Sequence, residues 1–289
     1  MKKLSPVYLI DSHCHIHDQS VYNFALSRQK KQASADFSPE KIFERMAKND
    51  VKKAICVGTT HEDSLVARDF ASQYDNLFWS YGIHPEEANR DDFCVSEEQL
   101  KKPFASSKES NHATINGSIV ASRPVAIGEV GLDYHSEGYN RDAQIRLLEQ
   151  MLDLAMKNDL PLIFHVRDAF DDFFAVLDNF HGLRGVVHSF SDTPENLKKS
   201  LARGFYIGVN GLATFANLPL PPLEETLLET DSPFLAPVPF RGKVNDPSHI
   251  KDIALWLADK HQTSLDNIAK ITTNNANNLF NVKRSSVYD

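Results

Sequence analysis

The chain has 289 residues, 24% of them charged and 42% hydrophobic, with a formal net charge of -8 at pH 7. That length permits one large domain or two smaller ones, and the negative balance excludes broad electrostatic adsorption to nucleic acid, so an anionic substrate would need a local positive field. Three cysteines (Cys14, Cys56, Cys94) without a Cys-x-x-Cys spacing exclude a disulfide framework and a thiolate zinc site.

No long apolar run follows the opening Met1-Lys2-Lys3-Leu4-Ser5-Pro6, so neither a signal peptide nor a membrane span is expected. A cytoplasmic protein with no membrane partner is the expectation. Short apolar runs then alternate with helical patterns along nearly the full chain. Eight runs read as strands: Val7–Ser12, Lys53–Val57, Phe78–Gly82, Val125–Glu129, Leu160–His165, Gly185–His188, Phe205–Val209 and Thr226–Glu229. Between them, Pro39–Asn49, Asp63–Gln73, Asp142–Lys157, Ala169–Asn179 and Pro194–Ala202 carry apolar residues at helical spacing. Ser38-Pro39 and Thr193-Pro194 add helix-start signals. Eight strand-helix units of this length imply an α/β fold, a (β/α)8 TIM barrel in a single domain over residues 1–283, with a short tail at 284–289.

Three segments break the rhythm. Gln19–Phe37 reads as a long solvated loop with a basic patch, Arg28-Gln29-Lys30-Lys31. Arg90–Ser122, rich in Ser, Asn and Lys, reads as an inserted surface loop with one helical turn near Glu97–Lys101. Pro219, Pro221 and Pro222 leave little room for a helix before the eighth strand, which would leave that side open or covered by a partner.

The strand ends carry the chemistry. In such a barrel, side chains at the carboxyl ends of the strands converge on one mouth. His13 and His15 end the first strand and, by alternation, share a face away from Cys14. Glu129 ends the fourth strand, His165 the fifth and His188 the sixth, and Asp231 follows the eighth. Four imidazoles and two carboxylates exceed what one tetrahedral ion needs and suit two divalent ions per chain. His13, His15 and Asp231 are assigned to one ion, His165 and His188 to the other, with Glu129 as the bridge. This mixed nitrogen and oxygen set leaves Mg, Mn and Zn open. Asp231 is also read as a proton acceptor in catalysis alongside Glu129. His84, in Gly82-Ile83-His84-Pro85, is a candidate phosphate contact, and Arg241 and Lys243 are candidate phosphate clamps. Arg167 is expected to pair with a neighbouring carboxylate, Asp11 to orient a ligand imidazole, and Glu229 to support the site without joining it. His17 continues the alternation from His15, but Ile16 and Asp18 mark the end of the strand, so it is not counted as a ligand.

Five segments resemble, in the same order, the signature segments of the TatD family of metal-dependent deoxyribonucleases. They are Asp11-Ser12-His13-Cys14-His15, Gly128-Glu129-Val130-Gly131-Leu132-Asp133-Tyr134, Phe164-His165-Val166-Arg167-Asp168-Ala169, His188-Ser189-Phe190-Ser191 and Glu229-Thr230-Asp231-Ser232-Pro233. Arg241–Pro247 and Asn275–Phe280 also look like that family, so the resemblance runs from about Tyr8 to Val282. It implies an amidohydrolase-type barrel and hydrolysis of DNA phosphodiester bonds, as a 3'-5' exodeoxyribonuclease. The implied partner is DNA, as single strands or 3' ends, and a monomer is expected. The family's metal residues fall on His13, His15, Glu129, His165, His188 and Asp231. Two rivals follow from the same barrel: a C-N, lactone or phosphotriester hydrolase of the wider amidohydrolase group, where a carbamylated Lys would be expected as the bridge, and a barrel that binds metal or nucleic acid without turnover.

Overall fold

A computed structural model describes residues 7–29, 36–90, 93–104, 112–115, 118–121 and 123–282. Eight parallel strands form the barrel: β1 (Leu9–Cys14), β2 (Val51–Val57), β3 (Leu77–Tyr81), β6 (Ala126–Asp133), β7 (Leu162–Arg167), β8 (Gly185–Val187), β9 (Tyr206–Val209) and β10 (Thr226–Leu228). β4 (His112–Ile115) and β5 (Ser118–Ala121) pair as a separate antiparallel hairpin. All positions of β1, β3 and β6 are buried, as expected of parallel strands with both faces covered. The helices α2 (Pro39–Lys48), α3 (His61–Ala71), α5 (Arg141–Asn158), α6 (Phe170–Leu177) and α7 (Pro194–Ala202) fall where the helical spacing predicted them. Side chains start several of them: Thr60, Asn140 and Thr193 each accept a backbone N–H of the first turn.

Two irregular segments hold more structure than their composition suggests. Gln19–Ser27 is a helix, α1, because Asp18 accepts the N–H groups of Ser20 and Val21 and the turn buries Tyr22. Arg28 and Gln29 end it, while Lys30 and Lys31 lie outside the described residues. The expected helical turn is α4 (Glu97–Lys101), and the same insertion also carries the β4-β5 hairpin.

The side before β10 is neither open nor left to a partner. Between β9 and β10 only short 3-10 turns form, at Gly211–Thr214 and Leu223–Glu225, as the prolines dictate. The helices α8 (Ile250–Lys260) and α9 (Leu265–Phe280) occupy that flank, and Asn275 Nδ2 donates to the carbonyls of Leu223 and Thr226 at 2.9 Å each. Thr273 Oγ1 donates to Tyr8 O at 2.8 Å, so one helix clasps both strands of the seam. The seam has little strand ladder of its own. Asp11 ties it by accepting from Thr230 N (2.9 Å) and Thr230 Oγ1 (2.5 Å), Ser12 Oγ donates to Leu228 O, and the backbone bonds His15 N to Ser232 O and Asp231 N to His13 O complete it at the mouth.

The barrel's register shifts at three places, at Leu9/Ile10 near the start of β1 and at two places that bear on the mouth. Between Asp11 and Cys14 β1 advances three residues while β2 advances two, from Ala54 to Cys56; between Ile127 and Val130 β6 gains one residue on β7 in the same way. Ile10 and Ala126 face the barrel interior. Strict alternation from Ile10 would turn His13 and His15 outward, and from Ala126 would turn Glu129 outward. Each one-residue slip re-aims them inward, the use of a bulge beside a site. Gly82 permits the slip in β6: a Cβ there would lie 2.2 Å from Glu129 N.

Candidate metal centre

The six residues expected at the mouth converge. Glu129 is at their centre, and its two oxygens face different histidines: Oε2 is 3.4 Å from His13 Nε2, while Oε1 is 2.8 Å from His165 Nδ1 and 3.2 Å from His188 Nε2. Asp231 Oδ1 lies 3.5 Å from His15 Nε2 and 3.6 Å from His13 Nε2. Asp231 reaches the site from a left-handed backbone conformation, φ +56°, which Asp tolerates better than most residues. Three overlapping triads, His13-His15-Glu129, His13-His188-Asp231 and Glu129-His165-His188, each bring ligand atoms close enough to surround one ion.

The partners of the far ring nitrogens fix which nitrogens face the centre. His15 Nδ1 is 3.0 Å from Val57 O, which can only accept, so Nδ1 carries the proton and the Nε2 lone pair points inward. His165 donates from Nε2 to Asp133 Oδ2 at 2.8 Å and thereby turns Nδ1 toward Glu129. His188 Nδ1 lies at ion-pair distance, 3.2 Å, from Glu229 Oε1 without hydrogen-bond alignment, and Nε2 faces Glu129. His13 Nε2 and His15 Nε2 then meet at 3.3 Å. Lone pairs crowded this closely around two carboxylates fit a cation between them.

Electrostatics points the same way. Burial raises Glu129, but His188, His13 and His165 overcome it and hold the carboxyl well below its ordinary value. Asp231 is likewise raised by burial and then held low, chiefly by His15. Burial lowers His165, yet hydrogen bonds to Asp133 and Glu129 bring it up to about 9, so a cation entering here must displace a proton. Burial, reinforced by His188, keeps His13 low and therefore neutral, the state a ligand needs.

The remaining candidates divide. His84 lines the cavity with Nε2 3.7 Å from Glu129 Oε1; burial, then His165, lowers it to about 4, so it is neutral. Its Nδ1 accepts from Glu86 N, which leaves the Nε2 proton free to donate. Arg241 and Lys243 are exposed and do not line the cavity: Arg241 stacks over Phe215 at 4.3 Å and Lys243 lies 5.7 Å over Phe240. Asp11 has no imidazole partner among the described residues; its carboxylate accepts the backbone N–H of His13 at 3.2 Å and holds Thr230 across the seam. Arg167 has no ion-pair partner among the described residues and faces the cavity, because it stands two residues beyond His165 on an unbroken strand. His17 stays out of the centre, with Nε2 3.0 Å from Asp63.

Sequence reasoning missed Asp133, which anchors His165 and also joins it and His84 in a fourth cluster of ligand-type atoms. The signal was parity: Asp133 lies four residues beyond Glu129 and shares its face.

An eight-stranded barrel with these imidazoles and carboxylates at its carboxyl mouth defines a metal-dependent hydrolase. The chain belongs to the TatD family: the family model described as TatD related DNase matches residues 10–281. It is similar to the "Uncharacterized metal-dependent hydrolase YabD" of Bacillus subtilis (strain 168), 30% identical over 283 residues, covering 95% of this chain and 99% of that one. It is also similar to the "Uncharacterized metal-dependent hydrolase YcfH" of Escherichia coli (strain K12), 32% identical over 291 residues, covering 96% and 98%. Among solved structures, YjjV, a TatD homolog from Escherichia coli K12, superposes with a TM-score of 0.77 at 29% identity, covering 95% of this chain and 98% of its own. No described helix is long and apolar enough to cross a membrane.

Proposed function

We propose that this chain hydrolyses DNA phosphodiester bonds through a two-metal centre, as a 3'-5' exodeoxyribonuclease acting on single strands or 3' ends, as a cytoplasmic monomer. The observation that carries the reading is Glu129, whose two oxygens face different histidines, Oε2 toward His13 and Oε1 toward His165 and His188, an arrangement that would suit a carboxylate shared by two ions. His13, His15 and Asp231 would hold one ion and His165 and His188 the other. Bound Mg, Mn or Zn would polarise the phosphoryl oxygens and acidify a water to supply the nucleophile. Asp231, held ionised at the mouth, would orient the attacking water and accept its proton. Neutral His84 donates from Nε2 to a phosphoryl oxygen. Arg241 and Lys243, outside the cavity, meet phosphates further along the strand.

The C-N, lactone or phosphotriester reading is disfavoured because the bridge position is Glu129 and no Lys lines the cavity among the described residues. Protein stripped of metal and then given Mg, Mn or Zn should shorten 3'-labelled single-stranded DNA. Failure with every ion, alongside turnover of a lactone or cyclic amide, would overturn the proposal in favour of that rival.

A further inference from the structure

The cavity that holds the centre encloses about 630 Å³, the size of a small-molecule site, and its walls differ in chemistry. Leu212, in the turn after β9, joins Phe234 and Leu235, in the loop after β10, as an apolar wall. Arg167 ends β7 and is the one Lys or Arg among the described lining residues. Glu86 and Glu87, after β3, line another side.

The apolar wall is held in place rather than left over. Phe234 is 42% exposed, yet its N–H donates to Asp231 O at 2.9 Å and its carbonyl accepts from Asn245 Nδ2 at 2.7 Å. Asn245, fully buried, also donates to Thr230 O. Leu235 is held at φ +52°, a left-handed conformation unfavourable for Leu, and strain of that kind gathers at functional sites. Gly211 lets the two loops meet, since a Cβ there would fall 1.9 Å from Leu235 O. The backbone that carries a large aromatic ring to the cavity is thus pinned, three residues from Asp231.

Phosphate alone has no use for such a wall. A nucleobase does, because its flat face stacks on aromatic and apolar side chains whatever its identity, while a guanidinium matches the oxygens of a phosphate. We infer that the cavity contains a one-nucleotide subsite in which Leu212, Phe234 and Leu235 receive the base and Arg167 pairs with a phosphate. Glu86 repels the rest of the backbone from its side, Glu87 being paired with Arg90 at 3.3 Å, and directs it past Arg167. The inference takes its substrate class from the phosphodiesterase reading and adds how one terminal residue is gripped.

Calorimetry on the metal-loaded protein tests it with inorganic phosphate, deoxyribose 5-phosphate and deoxyadenosine 5'-monophosphate. The nucleotide is expected to bind at least about fivefold more tightly than the sugar phosphate. Phe234→Ala should remove that preference without changing sugar phosphate binding, and Phe234→Trp should keep it. Arg167→Gln should weaken both ligands about tenfold. Equal or undetectable binding of all three ligands overturns the subsite, as does a preference that survives Phe234→Ala. DNA shortening without base preference sinks the subsite and leaves the nuclease reading standing; base preference without shortening does the reverse.

Discussion

At the amino-terminal end of the barrel, Ile10, Ile55, Phe78, Ala126, Ile163, Val186 and Leu227 fill the interior, and Ala276, Leu279 and Phe280 of α9 close it from below. A few residues further along the same strands, His13, Glu129, His165 and His188 fill the same barrel at its mouth. Ile163 and His165 differ by one full pleat, as do Val186 and His188, so adjacent inward positions serve burial and then chemistry. The floor is apolar and complete without any ligand. The mouth instead gathers four imidazoles around two carboxylates, a set that holds protons in the free protein and is able to hold cations. Stability should therefore be lost by changes at the floor, and function by changes at the mouth.

The sharpest test of that division is Glu129→Ala. Metal analysis should find occupancy well below the parent's, and DNA turnover should fall by about a thousandfold or more. Full occupancy by two ions would sink the bridging role. At the other end, Leu227→Ala should cost about 2–5 kcal/mol in denaturant unfolding while metal content stays at the parent value; reduced metal binding by the folded variant would mean that the two ends are not separable.

A smaller effect is expected behind the mouth. Asp133→Ala should lower metal affinity by about 10–100-fold, measured against a competing chelator, because His165 loses the acceptor that fixes its orientation. In the parent, affinity should rise from pH 6 to 9, since His165, at about 9, must give up its proton to bind a cation.

The smallest effect belongs to His17, the histidine that faces away from the centre. Burial lowers it, but Asp63 at 3.0 Å and the neighbouring Cys56 bring it up to about 9. A folded value above the unfolded value of about 6.5 means that the pair stabilises fully below about pH 6.5 and that this contribution fades as pH rises through about 9. The melting midpoints of the metal-loaded parent and of Asp63→Asn should accordingly draw together between pH 6 and 9.5. A gap that stays constant would assign the pair no such role.

Much of this was readable from local pattern. Apolar runs, helical spacing and the helix-start prolines placed all eight barrel strands and five of the helices, because period and capping depend on neighbours in sequence. The ligand-type residues were visible for the same reason: each ends or follows an apolar run. What local pattern could not supply was direction. Whether His13 and Glu129 point into the barrel depends on one extra residue against a partner strand, and that register exists only once β1 meets β2 and β6 meets β7.

Tertiary structure likewise decided the role of each auxiliary residue. Asp11 holds the seam rather than a ring because Thr230, 219 positions away, arrives beside it. Arg167 faces the cavity without a partner because no described carboxylate reaches it there. The proline-rich flank is closed by α9, whose Asn275 supplies hydrogen bonds that a missing crossover helix would have made unnecessary. Sequence by itself fixed the kind of barrel and the chemistry available at its mouth, since both follow from residue type and short-range spacing. The inward aim of the ligands, the closure of the seam and the apolar wall of the cavity were decided only by contacts between distant segments, whose geometry no local period encodes.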